Sequence, residues 1–363
     1  MKLHRLLVLF FLSLGACGQP LGQVSNRQGL QNATPDTGVQ SSDKNTEYFV
    51  RPHDCRAQIA RAMCLVDTDQ VALAKNELPD NSLPRVCLPG GAVYASAFEA
   101  VHDRLPAALQ QMFCSIKKIY IEKDLYASAY AETDAALDSN LEMRSNGAYL
   151  GVRLAAMGDQ LSYGEWATWK EQLSFGGSTL PGEPDATLPI VRSVSPAGVN
   201  DLLYAHIVHE FAHLLDTANH LNPYRDCSEE LGGRLCTFQS EAWAQLSWAN
   251  SRQPLAAFDF SGRERFCFYA CEGSTLSNES LDAVYAELDQ GNFINSYAAT
   301  NFREDFASTF EIFMMIHYLG TRLELVTPSG KVYDLAAHLQ SPQMSEKYQY
   351  IKRILASQHL DYP

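Results

Sequence analysis

The sequence predicts an α+β fold: a small mixed sheet with an edge strand over a long helix, and a second helix that completes a site. Two segments rich in β-branched and aromatic residues, 115–122 (SIKKIYIE) and 147–154 (GAYLGVRL), are typical of strands. Residues 203–215 carry apolar side chains every three or four positions, which indicates an amphipathic helix. Because 46% of the chain is hydrophobic and no repeat follows residue 47, residues 47–363 are predicted to form one large domain.

The strand at 147–154 is the candidate edge strand beside the long helix. Such an edge could hold an extended peptide by adding it to the sheet as another strand. The long helix is predicted to begin at Ser195 and Pro196 or at Asn200, since each can cap or start a helix. Further helices are predicted over 56–65, 95–113, 163–175 and 345–355.

The first residues are predicted to direct export and not to belong to the fold. A basic start, an apolar run and small residues make residues 1–16 typical of a signal peptide. Leu14-Gly15-Ala16-Cys17 resembles the lipobox of bacterial lipoproteins, which predicts a lipid anchor at Cys17. Gly18, directly after this cysteine, favours the outer membrane as the destination of the lipoprotein. The alternative to a lipid anchor is an ordinary secretory signal. Residues 17–46, rich in small polar residues, are predicted to be a disordered tether.

Charge and cysteine content narrow the partners and the compartment. The formal net charge of −14 argues against a nucleic-acid partner. The chain has nine cysteines, and eight are left when the predicted lipid-bearing Cys17 is set aside. An even number in an exported protein favours disulfides over free thiols. Four of them precede the long helix and four follow it, which suggests pairing within each half. A second metal site is disfavoured because no Cys-x-x-Cys pair occurs.

The long helix carries the most informative motif, His209-Glu210-Phe211-Ala212-His213. Residues four apart leave the same face of a helix about one turn apart, so both imidazoles can bind one zinc ion. Glu210 lies beside them as a candidate general base that accepts a proton from a water activated by the metal. The competing interpretation is a buried amphipathic helix that carries two histidines by chance.

A third ligand must come from elsewhere, and several residues compete for the role. His206 shares the helix face but lies too close on the same ridge to complete a tetrahedral site, which favours a core position or a place beside a ligand. A third histidine six residues after His213 is missing, because Asn219 occupies that place and His220 is out of register. Glu241 is a candidate whose competing interpretation is an exposed helical glutamate.

Glu304 is the stronger candidate for this position. It lies in a predicted helix that Asn301 can cap, that runs to Tyr318 and that ends before Gly320. A glutamate three residues after a cap also fits a capping box, which is the competing structural interpretation.

HEFAHLLD at 209–216 and SYAATNFREDFASTF at 296–310 together resemble the catalytic domain of anthrax lethal factor and its relatives, zinc endopeptidases of the gluzincin type. The resemblance implies a zincin-like fold and one Zn²⁺ bound by three residues. It implies His209, His213 and Glu304 as the zinc ligands, Glu210 as the general base and Tyr297 as the residue facing the reacting oxygen.

The resemblance covers little outside these two helices, and it departs in one place. The segment between His213 and Tyr297 is longer than in lethal factor and is predicted to hold a cysteine-containing insertion at about 219–290. The sequence therefore predicts a zinc metalloendopeptidase at the bacterial envelope, acting on a peptide or protein substrate. The alternative is an inactive binding lipoprotein with a zincin-like domain. Asp216 is a further candidate, either orienting a ligand histidine or lying exposed at the helix end.

Overall fold

The computed structural model describes residues 49–66, 87–123, 128–137, 143–157, 161–177, 181–222, 224–230, 233–251, 253–268, 276–357 and 359–363. The predicted signal peptide, Cys17 and the predicted tether lie outside these residues. The described chain is α+β, as predicted, with mixed sheets and several helices. No helix of this part of the chain is long and apolar enough to cross a membrane.

The largest described sheet has five strands in the order β2-β1-β3-β5-β4. The pairs β1–β3 and β3–β5 are parallel, whereas β2 and β4 run antiparallel to their neighbours, so the sheet is mixed. Its strands are β1 (Met63–Val66), β2 (Cys87–Leu88), β3 (Ile116–Glu122), β4 (Ala129–Leu137) and β5 (Met143–Arg153). The predicted strands at 115–122 and 147–154 are therefore confirmed as strands.

The prediction that 147–154 is the edge strand is wrong. That segment belongs to β5, which pairs with β3 and β4, and β4 is the edge. Leu150 and Val152 of β5 are fully buried and belong to the hydrophobic core. The sequence of β4 (AYAETDAAL) alternates weakly and is rich in residues that disfavour strands, so pairing with β5 decides its structure.

A glycine marks how closely β4 and β5 approach each other. A side chain on Gly151 would collide with the ring of Tyr130 on β4, because a Cβ built there lies 1.9 Å from Tyr130 Cε1. The Tyr130 hydroxyl donates to Glu122 Oε1 of β3 at 2.6 Å, which holds the ring over that glycine. Gly151 therefore leaves the space in which the Tyr130 ring lies across β5.

The helices lie around this sheet and around two smaller antiparallel sheets. The described helices are α1 (Cys55–Ala62), α2 (Ala95–His102), α3 (Ala107–Gln110), α4 (Met112–Ser115), α5 (Tyr163–Leu173), α6 (Asp201–Asn219), α7 (Leu281–Gln290), α8 (Phe302–Met314), α9 (Leu335–Leu339) and α10 (Ser345–Ala356). The smaller sheets contain β6 (Ile190–Val194), β9 (Arg322–Val326) and β10 (Val332–Asp334), and the pair β7 (Tyr224–Glu230) and β8 (Gly233–Phe238).

Two of the predicted helices differ from those in the structure. The helix predicted over 56–65 stops at Ala62, because the next four residues pair in parallel with β3 as strand β1. The helix predicted over 95–113 divides into three short helices. Pro106 causes the main break, since it lacks an N–H and stands at the start of α3 with extended backbone. Helices close to the predicted 163–175 and 345–355 are confirmed as α5 and α10.

Helix α6 lies at the centre of the molecule and packs against both β4 and α8. The Asn200 side chain accepts a hydrogen bond from the Leu203 N–H at 2.9 Å, which caps its N-terminus and confirms the second predicted start. His220 ends the helix in the left-handed conformation, with a φ of 50°. Trp166 and Trp169 of the neighbouring α5 are both buried, which agrees with a core role.

Two disulfides brace the first half of the chain: Cys55–Cys114 and Cys64–Cys87. Pairing within that half is thereby confirmed. In the second half Cys267 is also disulfide-bonded, and Cys227 and Cys236 face each other in the backbone register of β7 and β8. Cys271 lies outside the described residues.

Candidate metal centre

Helices α6 and α8 bring together the three predicted ligands. His209 Nε2 lies 3.2 Å from Glu304 Oε2, and His213 Nε2 lies 3.6 Å from the same oxygen. One donor atom from each side chain falls within 4.8 Å of the other two. His209 and His213 of α6 therefore converge on a single point with Glu304 of α8. Glu304 lies 91 or more positions further along the chain.

The geometry and chemistry of these atoms fit a zinc ion. Donors about 2.0–2.1 Å from a tetrahedral zinc lie roughly 3.3 Å apart, close to both distances from Glu304 Oε2. Among the described residues, His213 Nε2 and Glu304 Oε1 are buried without a hydrogen-bond partner. Two imidazole nitrogens and one carboxylate form a typical ligand set of catalytic zinc, which leaves a fourth position for water or substrate.

A second carboxylate orients the first histidine. Glu311 Oε2 lies 2.9 Å from His209 Nδ1, and the Tyr163 hydroxyl donates to Glu311 Oε1 at 2.7 Å. Burial and the charge of Glu311 raise the pKa of Tyr163 well above its usual value, so the phenol stays protonated and remains a donor. With Nδ1–H donating to Glu311, the Nε2 atom of His209 is left to face Glu304.

Sequence reasoning missed Glu311, although a signal for it existed. Glu311 follows Glu304 by seven residues, which is two helical turns, so both carboxylates leave the same face of α8. Asp216 is the candidate that the sequence suggested for this role. Burial raises its pKa, and a hydrogen bond from Asn222 together with the charges of Arg303 and His213 opposes that rise.

The buried charges in this centre depend on one another. Burial alone raises the pKa of Glu304, but the charge of His213 and a hydrogen bond from His209 outweigh it and hold that pKa far below its usual range. Burial lowers the pKa of His209, whereas hydrogen bonds to Glu304 and Glu311 overcome this effect and raise the pKa to about 10. A pKa raised this far favours a protonated Nε2 atom at neutral pH, and a metal ion bound there would have to displace that proton.

Glu210 lies next to the ligands but does not pair with them. The residue is 3% exposed, and its Oε2 atom has no hydrogen-bond partner among the described residues. Burial raises the pKa of Glu210, and the charges of His213 and His209 work against that rise. A buried carboxylate with a raised pKa and a vacant oxygen can serve as a general base.

Tyr297 also reaches the centre. Its ring centroid lies 6.1 Å from that of His209, with 26° between the ring planes. The ring also makes an edge contact with Phe268, at 4.8 Å between centroids, and Phe268 belongs to the predicted insertion. The segment between the two motif helices thus contributes directly to the surroundings of the site.

The competing third-ligand candidates lie apart from the ligand group. Glu241 was predicted to be helical, but it is exposed, lies in a turn and has a φ of 75°. It is not among the donors that converge with His209 and His213. His206 is buried against the edge of Trp166, and burial together with the charge of Lys170 lowers its pKa well below the usual value. A neutral core histidine fits these contacts.

Comparison with protein-family models, with curated proteins and with solved structures finds no match for this chain. The resemblance to lethal factor therefore remains a prediction that rests on the two motif segments.

Proposed function

We propose that this chain is a zinc-dependent endopeptidase with a zincin-like fold, which hydrolyses peptide bonds at the bacterial envelope. The observation that carries the proposal is the convergence of His209, His213 and Glu304, with the buried carboxylate of Glu210 beside them. A purely structural zinc site has four protein ligands and needs no base. Three ligands with an adjacent base therefore favour catalysis over binding alone.

A zinc ion held by these three side chains would lower the pKa of a bound water and polarise the carbonyl of the peptide. The vacant Oε2 atom of Glu210 accepts the proton of the attacking water and later transfers it to the leaving nitrogen. Glu311 keeps His209 in the tautomer and orientation that ligation requires. The Tyr297 hydroxyl donates to the carbonyl oxygen as negative charge develops there.

Solvent and substrate would reach this centre from the side of His213. Its side chain is 16% exposed, whereas Glu304 on the same centre is 1% exposed. The edge strand β4 packs against α6, which makes it the candidate surface for an extended peptide. This assignment replaces β5, which has no open edge.

The proposal extends to export and anchoring through a lipid at Cys17. Support comes from the lipobox-like sequence and from the disulfides Cys55–Cys114 and Cys64–Cys87, since such bonds persist in oxidising compartments. Membrane fractionation of wild-type protein and Cys17→Ser, with mass analysis of the N-terminus, tests it. Release of only the variant supports the anchor, and fully soluble wild-type protein with an unmodified N-terminus contradicts it.

The activity is tested with Glu210→Gln. This variant should keep its zinc and its melting temperature but lose hydrolysis of a fluorogenic peptide library, because an amide cannot accept the water's proton. Glu241→Gln is the matched control, a glutamate changed in the same way at an exposed turn. A Glu210→Gln variant that cleaves as fast as wild type would contradict the proposal. Wild-type protein that binds zinc yet cleaves nothing in the library would favour the inactive binding lipoprotein.

A further inference from the structure

Lys170 is a buried lysine at the edge of the proposed catalytic centre. It lies on α5 with 8% of its residue surface exposed. Its Nζ atom is 3.3 Å from the centroid of the Tyr297 ring and 4.9 Å from that of Trp166. Removing an ammonium group from water is costly, and lysines on surface helices usually extend their charge into solvent. Contact with two aromatic faces offsets part of this cost.

Three separate segments of the chain contact the ring of Tyr297. Lys170 of α5 lies over its ring, His209 of α6 stacks near it, and Phe268 of the insertion meets it edge to face. A phenol held from three segments has few rotamers available to it. Its hydroxyl is consequently held in a fixed relation to the ligand His209.

We propose that Lys170 is a positioning residue for Tyr297, which it fixes against His209 and whose hydroxyl it makes a stronger hydrogen-bond donor. A positive charge over the ring face draws electron density from the phenol, so its O–H bonds more strongly to a developing oxyanion. This inference rests on the endopeptidase activity proposed above, and it adds a residue that neither motif contains. Because the oxyanion exists in the transition state and not in the bound substrate, the effect belongs to kcat and not to KM.

An effect of Lys170 on catalysis through Glu210 must be distinguished from the effect through Tyr297. The charge of Lys170 also opposes the rise that burial causes in the pKa of Glu210, so a lysine variant could act through the base. The two routes differ in their dependence on the Tyr297 hydroxyl. An effect through Tyr297 disappears when that hydroxyl is absent, whereas an effect through Glu210 remains.

A double-mutant cycle tests the proposal, with kcat and KM measured for wild type, Lys170→Met, Tyr297→Phe and the double variant. Lys170→Met should lower kcat roughly 10-fold with KM and zinc content unchanged. The same substitution should cause no further loss in the Tyr297→Phe background. Lys352→Met is the matched control, because Lys352 is exposed and lies 5.6 Å from the Tyr348 ring, away from the centre.

Equal losses from Lys170→Met in both backgrounds, or no loss in either, overturn the proposal while leaving the endopeptidase activity intact. Absence of zinc-dependent hydrolysis in wild-type protein counts instead against the proposed function. Lys170→Gln replaces Lys170→Met should the latter fail to fold.

A measurement that needs no activity is the NMR shift of the Lys170 ε-methylene protons in chelator-treated protein. The ring contact predicts an upfield shift that is kept in Tyr297→Phe and reduced in Tyr297→Leu, and an unchanged shift in Tyr297→Leu contradicts it.

Discussion

Two consecutive carboxylates on α8, Glu304 and Asp305, are equally buried but have different partners. Asp305 accepts hydrogen bonds from Lys347 Nζ at 2.6 and 2.8 Å and from Trp248 Nε1 at 3.0 Å. Glu304 faces two imidazoles with one oxygen, and its other oxygen has no hydrogen-bond partner among the described residues. Both oxygens of Asp305 therefore have protein partners, whereas only one oxygen of Glu304 does among the described residues.

This difference separates a structural ion pair from a ligand site. Buried charges are tolerated when they are paired and hydrogen-bonded, as Asp305 is with Lys347. Lys347 also donates to the carbonyl of Asn292 at 2.5 Å, so the pair ties α10 and the preceding loop to α8. Glu304 instead faces two imidazole nitrogens, a donor set that suits a metal cation, and this chemistry distinguishes the candidate site from the Asp305–Lys347 pair.

The largest expected effect comes from breaking the complete pair. Lys347→Met leaves Asp305 as an uncompensated buried charge, which should lower the free energy of unfolding by about 3–5 kcal/mol. Urea denaturation of the zinc-loaded protein measures this loss. The folded fraction should keep its zinc, because Lys347 does not contact the ligands. Unchanged stability would mean that Asp305 does not depend on Lys347.

The partner of Glu304 should respond to pH in the metal-free protein. The pKa of His209 is raised from 6.5 to about 10, so the stability from its proton is fully present below pH 6.5 and is lost as pH rises toward 10. The free energy of unfolding of the chelator-treated protein should therefore fall by up to about 1.4 kcal/mol per pH unit above pH 6.5. His209→Gln should flatten this dependence, and a wild-type curve as flat as the variant's would contradict the pairing.

A smaller effect is expected from Glu311, two turns beyond Glu304 on the same face of α8. Glu311→Gln removes the charge that holds His209 Nδ1–H but keeps the shape of the side chain. Zinc affinity should fall roughly 10- to 100-fold, as for other outer carboxylates that orient a ligand histidine. Competition with a chelator measures it, and Glu324→Gln on β9 serves as a control outside the centre. Equal affinities of wild type and Glu311→Gln would remove Glu311 from the metal centre.

The motif helices could be read from the sequence because local signals agree there. Asn200 and Asn301 cap α6 and α8 as expected, and the spacing of His209 and His213 fixes their common face. Glu304 was favoured over Glu241 on the strength of the resemblance. The structure explains the preference, since Glu241 lies in an exposed turn.

The remaining features depend on contacts between distant segments. The edge position of β4 follows from pairing with β5, which no local pattern of AYAETDAAL reveals. Lys170 and Tyr297 are 127 positions apart, and only the packing of α5 against the centre joins them. Long-range pairing of this kind has no short sequence signature.

Zinc stoichiometry tests the central claim most directly. Metal analysis of wild type, His213→Ala, Glu304→Ala and Glu241→Ala, each purified without chelator, compares two of the three converging residues with the exposed alternative. About one zinc per chain is predicted in wild type and Glu241→Ala, with loss in the other two, because two ligands hold the ion poorly. Zinc absent from wild type, or lost only in Glu241→Ala, would contradict the account.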